Sequence, residues 1–300
     1  MAVLSQIKYD AIYQAIQELH EKETYPIQKL CDIAGIQRSS YYKWRNRQAN
    51  ANALFNTKLI PLIKEAYQKR DGILGYRQMT IKLNREYNLT LNYKRIYRLM
   101  KILHIQSVCR RKRKTYIHST PEITAENILN REFSANNFGE KWLTDVTEMK
   151  YGIGGKAYLS AILDLGDKSI VAFVLGHSNN NELVFKTFDI AHKEYPDASP
   201  LFHSDRGFQY TSKRFHKKLV DAGMTQSMSR VSRCIDNGPM EAFWGMMKSE
   251  MYYLKKFSSY DDLEDAICEY IEYYNNHRYQ KRLNCMTPLE YRQYLLNTAA

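Results

Sequence analysis

The stretch KWLTDVTEMKYGIGGKAYLSAILDLGDKSIVAFVLGH, Lys141 to His177, decides the fold. WLTDVTEMKY alternates apolar and polar residues as a half-buried strand does, and AYLSAILDL and KSIVAFVLGH are rich in strand-forming residues. Turns are predicted at Gly152-Ile153-Gly154-Gly155 and at Gly166-Asp167. Three strands joined by short turns make an antiparallel meander. One residue is out of character: Asp145 interrupts the apolar run of the first strand, and the period of two puts Leu143 and Thr147 on its face. Asp164, at the end of the second strand beside Gly166-Asp167, reads as a turn residue.

Downstream the pattern changes period. Residues from Asn181 to about Tyr195 are helical, SPLFHSD is a short apolar strand, and SKRFHKKLVDAG is a helix ended by Gly223. MTQSMSR is a short fifth strand. Helical patterns run from Asp236 to Lys255 and from Asp261 to about Asn276. Three antiparallel strands, a helix, a parallel strand and further helices predict an α/β domain with a mixed sheet.

Upstream the chain is helical. Residues 5–19 carry apolar side chains at helical spacing. In YPIQKLCDIAGIQRSSYYKW, Pro26 opens a helix with Ile27, Leu30 and Ile33 along one face; Gly35 breaks it, and Arg38-Ser39-Ser40 starts another. That is the outline of a helix-turn-helix. Residues 58–68, GYRQMTIKLNREY and LNYKRIYRLMKILHI repeat the theme. In the last of these Ile96, Leu99, Met100 and Leu103 form the buried stripe, Lys94, Arg95, Arg98 and Lys101 the outer arc, and Asn92 the N-cap. RRKRK, Arg110 to Lys114, is a self-repelling run suited to tracking phosphates.

The charge is divided along the same line. Residues 1–115 hold 23 Lys and Arg against 8 Asp and Glu, whereas residues 116–300 hold 21 against 24, out of a net +12. A basic half that grips a polyanion joined to a near-neutral half with another task accounts for this better than a dispersed solubilising charge. No uninterrupted apolar run approaches the roughly 18 residues of a membrane span, and Met1 begins a polar helix rather than a secretory signal. The five cysteines, Cys31, Cys109, Cys234, Cys268 and Cys285, are far apart and form no CxxC pair, which argues against a zinc site or disulfide framework and for a reducing cytoplasm.

Three acids in the second half stand in places that suit chemistry. Asp145 lies within the first strand, Asp205 at the C-terminal end of the fourth, and Glu241 in the first turns of a helix between Met240 and Phe243-Trp244. Ligands of open α/β sheets gather at strand C-termini. Hard divalent cations take carboxylate oxygens, and a pair of them can clamp a phosphodiester.

The words WLTDVTEMKY, HSDRGFQYTS, CIDNGPMEAFWGMMKSE and YIEYYNNHRYQKRLNCMTPLEYR resemble the catalytic core of the OrfB transposases of insertion sequence family three, a core similar to retroviral integrase with a ribonuclease-H-like fold. Between Asp205 and Glu241 stand 35 residues, the family's interval. GYRQMTIKLN and NYKRIYRLMKILHI resemble the helix-turn-helix segment ahead of such cores, so the resemblance covers nearly the whole chain. It implies four regions: an N-terminal helix-turn-helix at 1–50, a second helix-turn-helix-like DNA-binding domain with the basic run at 51–115, a linker at 116–131 and an integrase-type core at 132–295. The expected fold is therefore α/β, a ribonuclease-H-like mixed-sheet core preceded by an all-α DNA-binding region.

The resemblance also implies roles. Asp145, Asp205 and Glu241 are the expected catalytic residues and ligands of two Mg²⁺ or Mn²⁺ ions, cutting at element ends and transferring strands into target DNA. Lys248, seven residues beyond Glu241 on the same helix face, is expected to hold a DNA phosphate, and Asn237 to steady the start of the glutamate's helix. Arg206, Arg38, Ser39, Lys43, Asn92, Lys94, Arg95, Arg98, Arg110, Arg111, Lys112, Arg113 and Lys114 are further expected DNA contacts. His203 reads either as a contact near the site or as a satisfied strand-end histidine. At Gln280 the chain departs from the histidine that many relatives carry after Tyr274-Asn275 and Arg278. The implied partners are double-stranded DNA (terminal inverted repeats and target), further copies of the chain on that DNA, and the upstream-frame product as fusion or companion. The implied place is the cytoplasm, on the nucleoid. Two other readings use the same residues: a catalytically silent DNA-binding regulator of transposition, and a ribonuclease-H-like nuclease acting on hybrids.

Overall fold

A computed structural model of the chain describes residues 2–46, 51–109, 126–230 and 234–299. It separates into two compact units, residues 1–62 and 63–300. The basic run at 110–114 and most of the expected linker lie outside the described residues.

In the first unit α1 (Ala2–Glu23), α2 (Ile27–Ile33) and α3 (Arg38–Arg45) close around Ile16, Ile27, Cys31 and Tyr41, with Tyr13 stacked on Trp44 at 5.5 Å. Gly35 makes the turn with φ +65, a conformation that costs glycine little. Ile33, expected on the inner face with Ile27 and Leu30, is instead 84% exposed. Six residues at about 100° each turn Ile33 roughly 120° away from Ile27 around the helix.

The second unit begins within α4 (Ala51–Gln68) and continues through α5 (Tyr76–Tyr87) and α6 (Tyr93–Ile102). Leu74, Met79, Leu83, Ile96, Leu99 and Met100 are buried, while Leu103 is only partly so. Asn92 caps α6, its side chain accepting from the Lys94 N–H at 2.8 Å.

The sheet is built from β1 (Lys141–Tyr151), β2 (Gly155–Asp164), β3 (Ile170–Gly176), β4 (Leu201–Ser204) and β5 (Thr225–Met228). Its order is β3-β2-β1-β4-β5; β1 to β3 form the antiparallel meander, and β4 and β5 add in parallel. This is the expected ribonuclease-H-like mixed sheet. Alternate strand residues feed two cores. Trp142, Ile162 and Phe202 pack on α7 (Asn181–Glu194) and α8 (Lys213–Asp221), where Phe188, Phe202 and Phe215 meet edge to face at 5.7–5.8 Å. Leu143, Leu159, Ala161 and Leu163 pack on α9 (Gly238–Met247) and α10 (Tyr260–Asn276). The helices start where side chains can take the orphan N–H groups: Asn180, Ser212 and a Ser259–Asp262 capping box.

Asp164 does more than terminate β2. It is fully buried and accepts four N–H groups, from Gly139, Gly166 and Asp167 and from Trp142 Nε1, at 2.6–3.1 Å. A last helix, α11 (Pro288–Ala299), was not expected from the apolar spacing. Thr287 and Glu290 begin it by exchanging hydrogen bonds, 3.0 and 3.2 Å. Arg292 locks it down, reaching Asp167, Ser169 and Tyr195. None of the described helices is long and apolar enough to cross a membrane.

Candidate active site

Strand register places the first two acids. β1 and β4 run parallel with Leu143 opposite His203. Two residues further along each chain come Asp145 and Asp205, abreast at the C-terminal end of β4. Asp145 accepts the Trp244 Nε1–H at 2.9 Å. Asp205 folds back on its own loop, Oδ1 accepting the Gly207 N–H at 2.8 Å. A Cβ at Gly207 would stand 3.0 Å from that same oxygen and 2.8 Å from Gln209 Oε1. The glycine of HSDRGFQY therefore permits the tight wrap around the carboxylate.

The pair is electrostatically strained. Burial pushes Asp145 up to about 7, and the charges of Asp205 and Glu241 add to the rise; the Val146 and Trp244 N–H groups oppose it. Burial likewise raises Asp205, against the pull of the Gly207 N–H. Tyr210, 1% exposed, sits beside them with its hydroxyl 3.2 Å from Thr144 Oγ1.

Glu241 lies in the first turn of α9 and acts on Asp145 through its charge. Among the described residues no three His, Cys, Asp or Glu side chains close into one metal-sized group. The structure thus brings Asp145 and Asp205 together, with Glu241 in electrostatic reach rather than in a ready-made cage.

Two expected site residues have partners that local spacing did not show. Asn237 does stand at the start of α9, but its side chain makes no cap. It is 4% exposed, and its amide donates to the Thr144 carbonyl at 3.0 Å. It stitches α9 to β1 next to Asp145 and is too buried to touch DNA. Lys248 directly follows the last residue of α9, Met247, with right-handed helical backbone, and opens the π turn Lys248–Tyr252. Its ammonium donates to Thr147 Oγ1 at 2.6 Å and to the Glu148 carbonyl at 3.2 Å. Burial lowers its pKa, against the attraction of Asp145 and Glu148.

The remaining residues divide by exposure. His203 is fully buried between Ser227 Oγ and Ser229 Oγ, at 2.9 and 3.1 Å, and burial holds it down at about 4, so the satisfied-histidine reading wins. Arg206 spends its Nε–H on the Ser229 carbonyl at 2.6 Å. Arg38, Ser39 and Lys43 on α3 and Lys94 and Arg98 on α6 are exposed; Arg95 is partly covered, and Asn92 Oδ1 serves as the cap. Arg110, Arg111, Lys112, Arg113 and Lys114 lie outside the described residues. Sequence reasoning missed Trp244 as Asp145's donor and Thr147 as Lys248's acceptor, pairings about a hundred residues apart that leave no local signal.

Comparison with known proteins shows what the chain is similar to. Residues 55–113 match an HTH-like domain model, and residues 135–234 and 241–296 match two integrase core domain models. The chain is 37% identical to a protein described as a putative transposase InsK for insertion sequence element IS150 of Escherichia coli K12, over 90% of this chain and 95% of the relative. It is 39% identical to an uncharacterized transposase-like protein of Haemophilus influenzae, over 73% and 100%. A 31 kDa protein of insertion element IS600 from Shigella sonnei is 31% identical, over 88% and 97%. Among solved structures, the HTLV-2 integrase catalytic core domain in complex with magnesium aligns at 18% identity, covering 52% of this chain and 97% of that one, with a TM-score of 0.41.

Proposed function

Starting from the fact that this chain belongs to the insertion-sequence transposases of the OrfB type in family three, and is thus a polynucleotidyl-transferring enzyme of DNA transposition, we propose that Asp145, Asp205 and Glu241 are its catalytic carboxylates. The observation that carries this reading is the half-buried Asp145–Asp205 pair, held abreast by β1 and β4, with Asp145 raised by desolvation and by the charge of Asp205, and Asp205 raised by desolvation. Nothing in the surrounding core requires two carboxylates to share that position.

The residues fit a hard divalent ion. The donors are all carboxylate oxygens, and the repulsion between them is the strain a cation relieves. Asp145, Asp205 and Glu241 would hold two Mg²⁺ or Mn²⁺, which supply charge stabilisation at the reacting phosphate and a more acidic nucleophile. The chain does the rest by positioning. Trp244 fixes the Asp145 carboxylate, and the Gly207 N–H fixes Asp205. Lys248, tied by Thr147 and Glu148, has one N–H left for a phosphate oxygen beside β1.

Two displacements at phosphorus follow one another. Water attacks the phosphodiester at the element's end and frees a 3′ hydroxyl. That hydroxyl attacks a target phosphodiester, forming one P–O bond while the target strand's 3′ oxygen leaves. No bond to the enzyme is made. The exposed cations of α3 and α6, with the 110–114 run, are assigned to the DNA backbone, and joining two element ends calls for more than one copy of the chain. The upstream-frame product is assigned as fusion or companion, and the nucleoid as the place of action.

The test is Asp205→Asn, assayed for joining of labelled terminal-repeat oligonucleotides with Mg²⁺. Joining should fall below detection while duplex binding persists. Undiminished joining refutes the assignment. Cleavage of RNA–DNA hybrids in preference to duplex would favour the nuclease reading instead.

A further inference from the structure

The acid that the site does not use is Asp236. It lies in the 3₁₀ turn Cys234–Asn237 that leads into α9, five residues before Glu241, and is fully buried. Both of its oxygens are saturated. Oδ1 accepts from Arg131 Nε at 2.7 Å and Arg230 Nη2 at 3.1 Å. Oδ2 accepts from Asn127 Nδ2, the Arg230 N–H and Arg230 Nε, each at 3.0 Å. One carboxylate therefore pins three separate segments: the strip ahead of β1, the residue two beyond β5, and the entrance to the glutamate's helix.

The pinning continues towards Asp205. Ser227 Oγ accepts the Leu129 N–H at 3.1 Å and bonds His203 Nδ1; Ser229 Oγ bonds His203 Nε2. The Ser229 N–H donates to the Ser204 carbonyl at 2.9 Å, and its carbonyl accepts from Arg206. Ser204 and Arg206 are the two neighbours of Asp205. On the other side Asn237, next to Asp236, reaches the Thr144 carbonyl, next to Asp145. The backbone neighbours reached are those of Asp205 and Asp145, and Asn237 in the turn that Asp236 holds. A buried polar network of this kind favours one geometry, because each partner lost leaves a desolvated group unpaired.

We propose that Asp236, through Arg131, Arg230 and the His203–Ser227–Ser229 chain, is a positioning residue that sets Glu241 relative to Asp145 and Asp205 and so completes the metal-binding geometry. This rests on the assignment of those three carboxylates as ligands. Asp236 touches neither substrate nor metal. Its two arginines keep 38% and 46% of their side chains exposed, so each arm can be removed without opening a core.

The experiment measures Mn²⁺ binding by calorimetry on the full chain without DNA, in wild type, Asp236→Asn, Glu241→Gln and the double variant. Folding is followed by circular dichroism. Asp236→Asn should weaken Mn²⁺ binding about 10- to 100-fold, the loss typical of removing an outer support of a metal ligand. Adding Glu241→Gln should then weaken it little further, since both changes remove the same donor. Unchanged Mn²⁺ binding in a folded Asp236→Asn protein, or losses that add in the double variant, overturns the proposal. If Asp236→Asn does not fold, Arg131→Ala and Arg230→Ala decide: each should weaken Mn²⁺ binding with little change in melting temperature, and a fall in melting temperature with intact Mn²⁺ binding overturns it. Absence of Mn²⁺ binding in the wild type would instead sink the ligand assignment itself.

Discussion

Arg278→Met isolates a buried charge whose cost can be worked out. Glu250 sits in the π turn after α9, and its carboxylate accepts from Arg278 Nε at 3.0 Å, Arg278 Nη2 at 2.6 Å and the Tyr270 hydroxyl at 3.0 Å. Both side chains of the ion pair are 9% exposed. Methionine fills most of the space of the arginine stem but removes two of the three donors. Hydrogen bonds to a charged group contribute about 1.5–3 kcal/mol each, and orphaning one member of a buried pair typically costs about 3–5 kcal/mol. For a unit of some 240 residues, each kcal/mol lowers the melting temperature by about 2–4 °C, so a fall of about 10 °C is expected. Replacing Glu250 by Met as well removes the stranded charge, and the double variant should recover more than half of the loss. Urea unfolding at constant m-value measures both. A single-variant cost below 1 kcal/mol, or strictly additive costs in the double variant, would refute the reasoning. The same π turn carries Lys248, so strand joining by the folded single variant should also decline.

Two further outcomes follow from the same kind of accounting. Asp164→Asn turns one end of an acceptor of four N–H groups into a donor. It should cost about 2–3 kcal/mol in denaturant unfolding, and a change below 0.5 kcal/mol would show that the β2–β3 corner does not depend on that charge. Alanine at Lys94, Arg98 and Lys101, all exposed on α6, should flatten the log–log salt dependence of duplex affinity by about 0.9 per lost phosphate contact. Fluorescence anisotropy across a salt series reads the slope, and an unaltered slope removes α6 from the DNA interface.

What the sequence disclosed, and what it withheld, divides by range of interaction. The meander, the parallel strand and the helices of the core were legible because apolar period, turn glycines and capping residues act within a few positions. Asp145 was legible as an acid breaking an apolar strand, and Asp205 as an acid at a strand end followed by glycine. α11 escaped because its signal is a cap, Thr287 with Glu290, and not an apolar stripe: Tyr294 and Leu296 are exposed. Asn237 shows the limit most clearly. Its place before a helix and its residue type both favour a cap, yet its amide crosses to Thr144, 93 residues away. Gly238 and Pro239 follow it, and a proline in the first turn removes one of the N–H groups that the side-chain oxygen of a cap would accept. The partner is set by the strand that packs beneath, which no window of local sequence contains. Lys248 follows the same rule. Spacing places it two turns beyond Glu241, but its acceptors, Thr147 Oγ1 and the Glu148 carbonyl, lie about a hundred residues away. Residue identity can therefore nominate the acids of the site. Their relative positions depend on buried polar partners, Trp244, Asp236 and Glu250, whose significance appears only when distant segments meet.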